Sequence, residues 1–164
     1  MNYIKRNLEN VVSQVTKEYP VVLVTGPRQV GKTTMLQKLM EGTDRGYVTL
    51  DDLNERNIAK TDPELFLQLH KPPVLIDEVQ YAPELFTYIK MHVDKNHEPG
   101  AFWLIGSQVF KLMRGVQESL AGRVAVLSLT SLSQAEISGG EMEPFTIEME
   151  ALNERKKKRE EADT

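Results

Sequence analysis

Cysteine is absent from the 164 residues of this chain. Its absence excludes disulfide bridges, cysteine nucleophiles and thiolate metal sites, and it agrees with a reducing compartment. Long apolar runs are also lacking, since no segment approaches the roughly 20 residues that cross a bilayer. The amino-terminal stretch is polar and has no continuous apolar core of the kind that a secretory signal carries. We therefore expect a soluble, cytoplasmic protein without a membrane segment.

A strong excess of either charge is missing as well. The formal net charge is −4 and the sequence pI is about 5.5, which argues against a protein whose main role is to coat nucleic acid. Hydrophobic residues make up 40% of the chain and charged residues 27%, close to the composition of an ordinary globular domain. The length fits one such domain with a small appendage.

Short apolar runs alternate with stretches of helical periodicity along the chain. The apolar runs predict five buried strands, at residues 21–25, 47–50, 74–76, 102–105 and 124–129. Apolar residues at helical spacing predict helices over 3–18, about 32–40, from 62, from 83, and about 108–120. In the helix that begins at Asp62–Pro63, Leu65, Phe66 and Leu69 are the expected apolar face. This alternation predicts an α/β fold, a parallel five-stranded sheet between two helical layers in a three-layer αβα sandwich.

The carboxyl-terminal part differs in composition from the rest. We expect the core domain to span 1–138 and a charged segment to occupy 139–164, after a short helix at 131–137 and a break at Gly139–Gly140. The five consecutive basic residues 155–159 are followed by two glutamates. A solvated helical or frayed end is the favoured interpretation, with the start of a truncated lid as another and a nucleic-acid contact as a weaker third.

Residues 26–33 have the pattern G-x-x-x-x-G-K-[ST] directly after a predicted strand and at the start of a predicted helix. Glycines let consecutive backbone N–H groups turn inward around phosphate oxygens, and the helix adds its positive end. Lys32 would supply a mobile charge to the β- and γ-phosphates, and the Thr33 hydroxyl would coordinate magnesium. The pattern predicts an ATP-binding loop made of Gly26, Pro27, Arg28, Gln29, Val30, Gly31, Lys32, Thr33 and Thr34.

Two acids, Asp77 and Glu78, follow the third predicted strand. The carboxyl ends of parallel strands share one edge of a sheet, so both acids are expected beside the phosphate loop. Asp77 is predicted to hold the magnesium ion, usually through water, and Glu78 to polarise the attacking water as a general base. An Asp-Glu pair favours a hydrolase over a small-molecule kinase.

Polar residues also follow the fourth predicted strand, in the order Gly106, Ser107, Gln108. They are expected at the same sheet edge, where Ser107 or Gln108 can hydrogen-bond the γ-phosphate or the attacking water. The alternative for Ser107 is a plain helix cap. We prefer the functional role.

Arg123 precedes the fifth predicted strand, so it should lie at the edge opposite its own phosphates. Two interpretations stay open: an arginine finger that reaches a neighbouring subunit's nucleotide, and a structural salt bridge. Arg28, inside the phosphate loop, is the nearer cation for the phosphate oxygens.

Several other polar residues carry weaker signals. Asp51 and Asp52 close the second predicted strand, and a surface turn is favoured over a position in the crevice. The three histidines, His70, His92 and His97, show no metal-ligand spacing and no carboxylate partner in the sequence. We expect them to be surface or partly packed residues.

Together these residues resemble a family of prokaryotic AAA-like ATPases of the additional-strand P-loop class. The resemblance runs from about Asn10 to Glu136 and rests on segments 26–34, 50–52, 62–66, 76–85, 106–108 and 118–124. It implies the strand order 5-1-4-3-2, the ATP loop and the magnesium and water-activating pair already named. It also implies Ser107 or Gln108 as γ-phosphate sensor, and it places Arg123 where such proteins commonly carry a finger.

The sequence departs from this family at its end. Family members normally continue through more helices into a second domain, whereas this sequence stops soon after the fifth predicted strand. The resemblance implies a magnesium-dependent ATPase module, whose partners would be ATP, a second copy reached by Arg123, and a missing carboxyl-terminal domain or partner protein. A nucleotide-binding switch or truncated remnant without efficient turnover is the second candidate, and a small-molecule kinase is the less favoured third.

Overall fold

The computed structural model describes residues 8–27, 31–107 and 109–129, apart from the side chain of residue 109, and all structural statements below concern these residues. No helix among them is long and apolar enough to cross a membrane. The elements in chain order are α1 (Leu8–Val15), β1 (Val21–Thr25), α2 (Lys32–Met40), β2 (Gly46–Thr49), α3 (Leu53–Thr61), α4 (Pro63–Leu69), β3 (Val74–Asp77), a short 3₁₀ helix (Val79–Tyr81), α5 (Leu85–Asn96), β4 (Phe102–Gly106), α6 (Val109–Leu120) and β5 (Val124–Ser128).

The five strands form one parallel sheet in the order β2-β3-β4-β1-β5. This confirms the predicted order 5-1-4-3-2. Strand β1 has β4 on one side and β5 on the other, so that Thr25 lies level with Gly106 and with Ser128. The connection after β1 runs toward β2, and the connection after the neighbouring β4 runs the opposite way, toward β5. Because all strands are parallel, the loops after β1, β3 and β4 lie at the same edge of the sheet, where the strands have their carboxyl ends. In open α/β sheets such an edge is where ligands bind.

Alternate residues of the strands pack into two separate cores, as the two faces of a pleated sheet require. On one face Val22, Val24 and Leu75 pack against α1 and α2. On the other face Leu23, Ile76 and their neighbours pack against the four helices α3 to α6. The three-layer αβα arrangement predicted from the alternation of elements is confirmed.

Helix α3 is absent from the predictions. Only Ala59 of this nine-residue helix is buried, so its sequence carries no clear apolar periodicity. Its beginning is set by Asp52, whose Oδ1 accepts the backbone N–H groups of Asn54 at 2.9 Å and Glu55 at 3.3 Å. Asp52 is therefore an exposed N-cap, and its carboxylate is engaged with the helix.

Helix α4 begins where predicted, and the Asp62 side chain accepts the Leu65 N–H at 3.1 Å. The predicted apolar face is only partly right. Phe66 is fully buried, whereas Leu65 is 40% exposed and Leu69 58% exposed. Phe66 and the partly buried Leu67 face the core, and Leu65 and Leu69 lie on the side of the helix that faces solvent.

Element ends differ slightly from the predictions. The first helix is described from Leu8 to Val15, residues 16–18 form a turn, and residues 1–7 lie outside the described ranges. Strand β5 ends at Ser128, one residue earlier than expected. The helix predicted at 131–137, the boundary at 138 and the charged segment 139–164 also lie outside the described residues and stay predictions.

Candidate functional site

Both glycines of the phosphate-loop motif have backbone conformations that disfavour other residues. Gly26 has φ +148°, and a Cβ on it would lie 2.0 Å from the carbonyl oxygen of Leu129. Gly31 has φ +88° and stands directly before α2. Glycine is therefore required at each end of the loop for the chain to leave β1 and enter the helix. The predicted loop residues Arg28, Gln29 and Val30 lie outside the described ranges.

Lys32 is the first residue of α2, and only 6% of it is exposed. Its Nζ donates to the carbonyl oxygens of Gly26 at 2.8 Å and Pro27 at 2.6 Å. Burial of an ammonium group is costly unless it is hydrogen-bonded, and these two bonds fold the side chain back under its own loop. The first turn of α2 contains no acid, so the positive end of the helix is not neutralised from within the helix.

Asp77 ends β3 and is only 4% exposed. Its Oδ2 accepts the Thr33 hydroxyl at 2.7 Å and the Tyr47 hydroxyl at 2.8 Å. Its Oδ1 is buried and has no hydrogen-bond partner among the described residues, which is a costly state for a carboxylate oxygen. The sequence predicted that Thr33 and Asp77 act together, and the structure brings them into direct contact.

These donors fit a magnesium ion. Carboxylate and hydroxyl oxygens are its preferred protein ligands, and Asp77 Oδ1 is an available one. Among the described residues, no group of three or more His, Asp or Glu side chains can hold a metal by itself. Magnesium is usually bound by one or two protein oxygens together with phosphate oxygens and water, which matches a site that is completed by a nucleotide.

Tyr47 is a site residue that the sequence analysis missed. It lies on the edge strand β2, two residues before Thr49, which is the register partner of Asp77. Burial, reinforced by the hydrogen bond to Asp77, raises the pKa of the Tyr47 phenol above its ordinary value, so the hydroxyl stays protonated and donates. No sequence motif includes this tyrosine. Its proximity to Asp77 can be recognised only when the pairing of β2 with β3 is known.

Glu78 and Ser107 are joined by Gln80, a second residue that the sequence analysis missed. The Gln80 Nε2 donates to Glu78 Oε2 and, at 3.2 Å, to the Ser107 hydroxyl. Its Oε1 accepts the Ser107 backbone N–H at 3.4 Å. The loops after β3 and β4 therefore meet, as predicted for Glu78 and Ser107, while Gln108 lies outside the described residues.

Arg123 lies at the opposite edge of the sheet, as expected from its position before β5. Its backbone carbonyl accepts the N–H of Val21, at the start of β1. The guanidinium pairs with Asp94 through two nitrogens, one of them at 3.0 Å, and these hydrogen bonds lower the pKa of the Asp94 carboxyl. Within one chain the arginine therefore forms a salt bridge. A finger role toward a neighbouring subunit stays a prediction.

The three histidines are surface or partly packed residues, as expected, and one of them has a carboxylate partner that the sequence did not reveal. His70 Nε2 lies 2.7 Å from Glu55 Oε2, so this histidine has a carboxylate partner. The contact was missed because Glu55 lies on α3, the helix that was not predicted. His92 is partly buried, with its ring edge-on to Phe102, and His97 ends α5 in a left-handed conformation.

The parallel sheet and the arrangement at its edge define a P-loop nucleoside triphosphatase domain. A glycine-bounded loop leads from β1 into α2. Lys32 hydrogen-bonds back to this loop, and the Thr33 hydroxyl contacts the carboxylate of Asp77 at the end of β3. The family model described as AAA domain matches residues 18–138. The chain belongs to this family of AAA domains.

Two curated proteins resemble the chain in sequence. They are the uncharacterized protein Rv2008c of Mycobacterium tuberculosis and the uncharacterized protein Mb2031c of Mycobacterium bovis, each 37% identical over 119 residues. Each match covers 72% of this chain and 26% of the relative. The chain thus spans about a quarter of the length of these relatives.

Two solved structures share the fold at low sequence identity. The Walker-type ATPase PABY2304 of Pyrococcus abyssi has a TM-score of 0.59 and 15% identity, covering 86% of this chain and 60% of that one. The P-loop NTPase domain of the sigma-54 transport activator from E. coli has a TM-score of 0.52 and 13% identity, covering 76% of this chain and 92% of that one. Both support the fold assignment.

Proposed function

We propose that this chain binds ATP as its magnesium complex and hydrolyses the bond between the β- and γ-phosphates. Membership of the AAA domain family and the P-loop fold support nucleotide binding and hydrolysis in general. The observation that carries the specific proposal is the pair Thr33 and Asp77. Their oxygens lie 2.7 Å apart, and the second Asp77 oxygen is buried with no hydrogen-bond partner in the described part of the chain.

In this proposal the loop 26–34 surrounds the phosphates with its backbone N–H groups. Lys32 exchanges the neutral carbonyl oxygens of Gly26 and Pro27 for anionic β- and γ-phosphate oxygens, which form stronger, charge-assisted hydrogen bonds. Thr33 and Asp77 hold the magnesium ion, Asp77 directly or through water. When bound, magnesium neutralises charge on the phosphate oxygens and polarises the γ-phosphate.

Hydrolysis then needs a base and a hydrogen-bond donor on the γ-phosphate. Glu78 accepts a proton from a water molecule whose oxygen attacks the γ-phosphorus, while the bond to the bridging β-phosphate oxygen breaks. ADP and inorganic phosphate are the products. Ser107, which Gln80 holds beside Glu78, donates its hydroxyl to a γ-phosphate oxygen, and Gln108 is proposed to assist it.

Phosphate release in a single turnover tests the proposal. With protein in excess over ATP, we expect inorganic phosphate in the presence of magnesium and none when the metal is chelated with EDTA, because Thr33 and Asp77 act through the ion. Fluorescence of a methylanthraniloyl-labelled ATP measures binding in the same samples. Binding without release in magnesium would support the nucleotide-binding switch instead.

Tyr47→Phe is expected to raise the magnesium concentration needed for half-maximal nucleotide binding by about 10-fold. Losing the hydrogen-bond partner of a metal ligand commonly lowers metal affinity by about 10- to 100-fold, and we expect the lower end of that range. The Tyr47 hydroxyl fixes the Asp77 carboxylate from 2.8 Å, and phenylalanine keeps the ring while removing this bond. The measurement is a magnesium titration of labelled ADP fluorescence, which does not depend on turnover. Tyr88→Phe, in the groove between α4 and α5, is the matched control. An unchanged midpoint would show that Tyr47 does not orient Asp77.

A further inference from the structure

We propose that Gln80 is a positioning residue that holds the Glu78 carboxylate at a fixed place relative to the Ser107 hydroxyl. The inference rests on the proposed function, since it concerns the water-activating and γ-phosphate-facing groups of that site. A residue on the loop after β3 is thereby assigned a role in the rate of hydrolysis and none in the affinity for nucleotide.

The contacts of Gln80 join two loops through one planar group. Its amide nitrogen donates to Glu78 Oε2 and to the Ser107 hydroxyl, and its amide oxygen accepts the Ser107 N–H. The orientation of the amide follows from its neighbours, because a backbone N–H can only donate and a carboxylate can only accept. All three bonds are therefore satisfied by one rotamer of one side chain.

A glutamine is the side chain that this geometry requires. It offers two N–H donors and a carbonyl acceptor on a rigid plane, and the Glu78–Ser107 bridge uses both kinds of group. Glutamate at position 80 would have no donor at neutral pH and would repel Glu78. Methionine would keep the approximate length and shape but could make none of the three bonds.

The backbone around Gln80 is held firmly. Glu78 has φ 59° and ψ 44°, a left-handed conformation that is uncommon for a residue with a side chain. The short 3₁₀ helix that follows is anchored by Val79 and Ala82, which are both fully buried. At Gly106 a Cβ would lie 2.2 Å from Leu112 Cδ2 and 3.3 Å from Gln80 Oε1. The absence of a side chain at that position lets the end of β4 approach the amide closely.

By bridging Glu78 and Ser107, Gln80 fixes the position of these two side chains relative to each other. Ser107 is proposed to touch the γ-phosphate and Glu78 the attacking water, so the distance between these two groups sets how the water is aimed at phosphorus. Gln80 hydrogen-bonds to both groups, and among the described residues it has no hydrogen bond to Thr33 or Asp77, the proposed ligands of the metal. Loss of the amide should therefore slow the chemical step and leave nucleotide binding intact.

The experiment compares Gln80→Met with wild type in single-turnover hydrolysis. We expect the rate to fall about 100-fold, the cost typical of a small misplacement of a reacting group. The dissociation constant of labelled ATP should change by less than about threefold, because uniform binding is not affected. Gln117→Met, at an exposed position on α6, is the matched control and should retain the wild-type rate. A Gln80→Met rate equal to that of wild type would overturn the proposal.

A double-mutant cycle separates positioning from a general structural effect. If Gln80 acts through Glu78, adding Gln80→Met to Glu78→Gln should cost less than about threefold further, because the group to be positioned is already gone. Two additive losses would contradict the proposal.

Gln80→Glu is a second variant of nearly the same shape, for which we expect a loss at least as large. Loss of ATP binding in both Gln80 variants would also overturn the proposal, since it would make Gln80 a residue of the fold.

The same data distinguish this inference from the proposed function. If wild type releases phosphate and Glu78→Gln does not, while Gln80→Met keeps the full rate, only the role of Gln80 is refuted. If wild type binds ATP and releases no phosphate, the proposed function itself fails. If Glu78→Gln leaves the rate unchanged, Glu78 is not the base, and the role of Gln80, which acts through Glu78, is refuted with it.

Discussion

Lys32→Ala is expected to weaken ATP binding by about 2–4 kcal/mol, which is roughly 30- to 1000-fold in the dissociation constant. The substitution removes the positive charge and the hydrogen bonds that Lys32 would make with the β- and γ-phosphates. The bonds from Nζ to the carbonyl oxygens of Gly26 and Pro27 are exchanged on binding, so their loss adds nothing to this cost. The loss of the charged phosphate contacts alone should make the effect among the largest of any single substitution here.

Isothermal titration calorimetry with ATP and magnesium measures this change. Lys38→Ala is the matched control, because Lys38 lies on the same helix, is exposed, and forms a surface ion pair with Glu41 at 3.3 Å. The control should bind ATP as wild type does. Unchanged ATP affinity in Lys32→Ala would contradict the assignment of residues 26–34 as the phosphate loop.

Glu78→Gln is expected to lower the single-turnover rate of ATP hydrolysis about 1000-fold, within the range of general acid–base contributions. Glutamine keeps the shape of the side chain but cannot take a proton from water. In the variant, the Nε2 of Gln80 can donate only to the amide carbonyl oxygen of the new glutamine. ATP affinity should stay near the wild-type value, because Glu78 does not belong to the phosphate loop.

Rapid-quench measurement of phosphate release, with labelled ATP binding in parallel, checks this result. Glu64→Gln is the matched control, since Glu64 is exposed on the first turn of α4 and far from the loop along the chain. The control should hydrolyse ATP at the wild-type rate. A full rate in Glu78→Gln would refute the assignment of Glu78 as the general base.

Much of the site follows from local sequence. The phosphate loop, Lys32 and Thr33 are adjacent along the chain, and their geometry depends on one strand, one loop and one helix. The acids Asp77 and Glu78 stand at the end of a short apolar run, so their place at the sheet edge follows from any parallel arrangement. The three-layer fold was likewise predictable from the alternation of apolar runs and helical periodicity.

Tertiary structure decided which of these groups touch and what supports them. Tyr47 reaches Asp77 only because β2 pairs with β3, and Gln80 reaches Ser107, 27 residues away, only because β3 pairs with β4. Helix α3 and its hydrogen bond to His70 were not predicted, because one buried alanine leaves no periodic signal.

The sequence by itself thus determined the class of fold and the chemical groups at its active edge. Local spacing is enough for this, because hydrogen-bonding partners within a loop or a strand end are neighbours in the chain. The residues that orient those groups are brought near them by the pairing of particular strands. The pattern of apolar and polar residues along the chain does not specify which strands pair. Their roles became visible only when the order β2-β3-β4-β1-β5 had brought distant residues together.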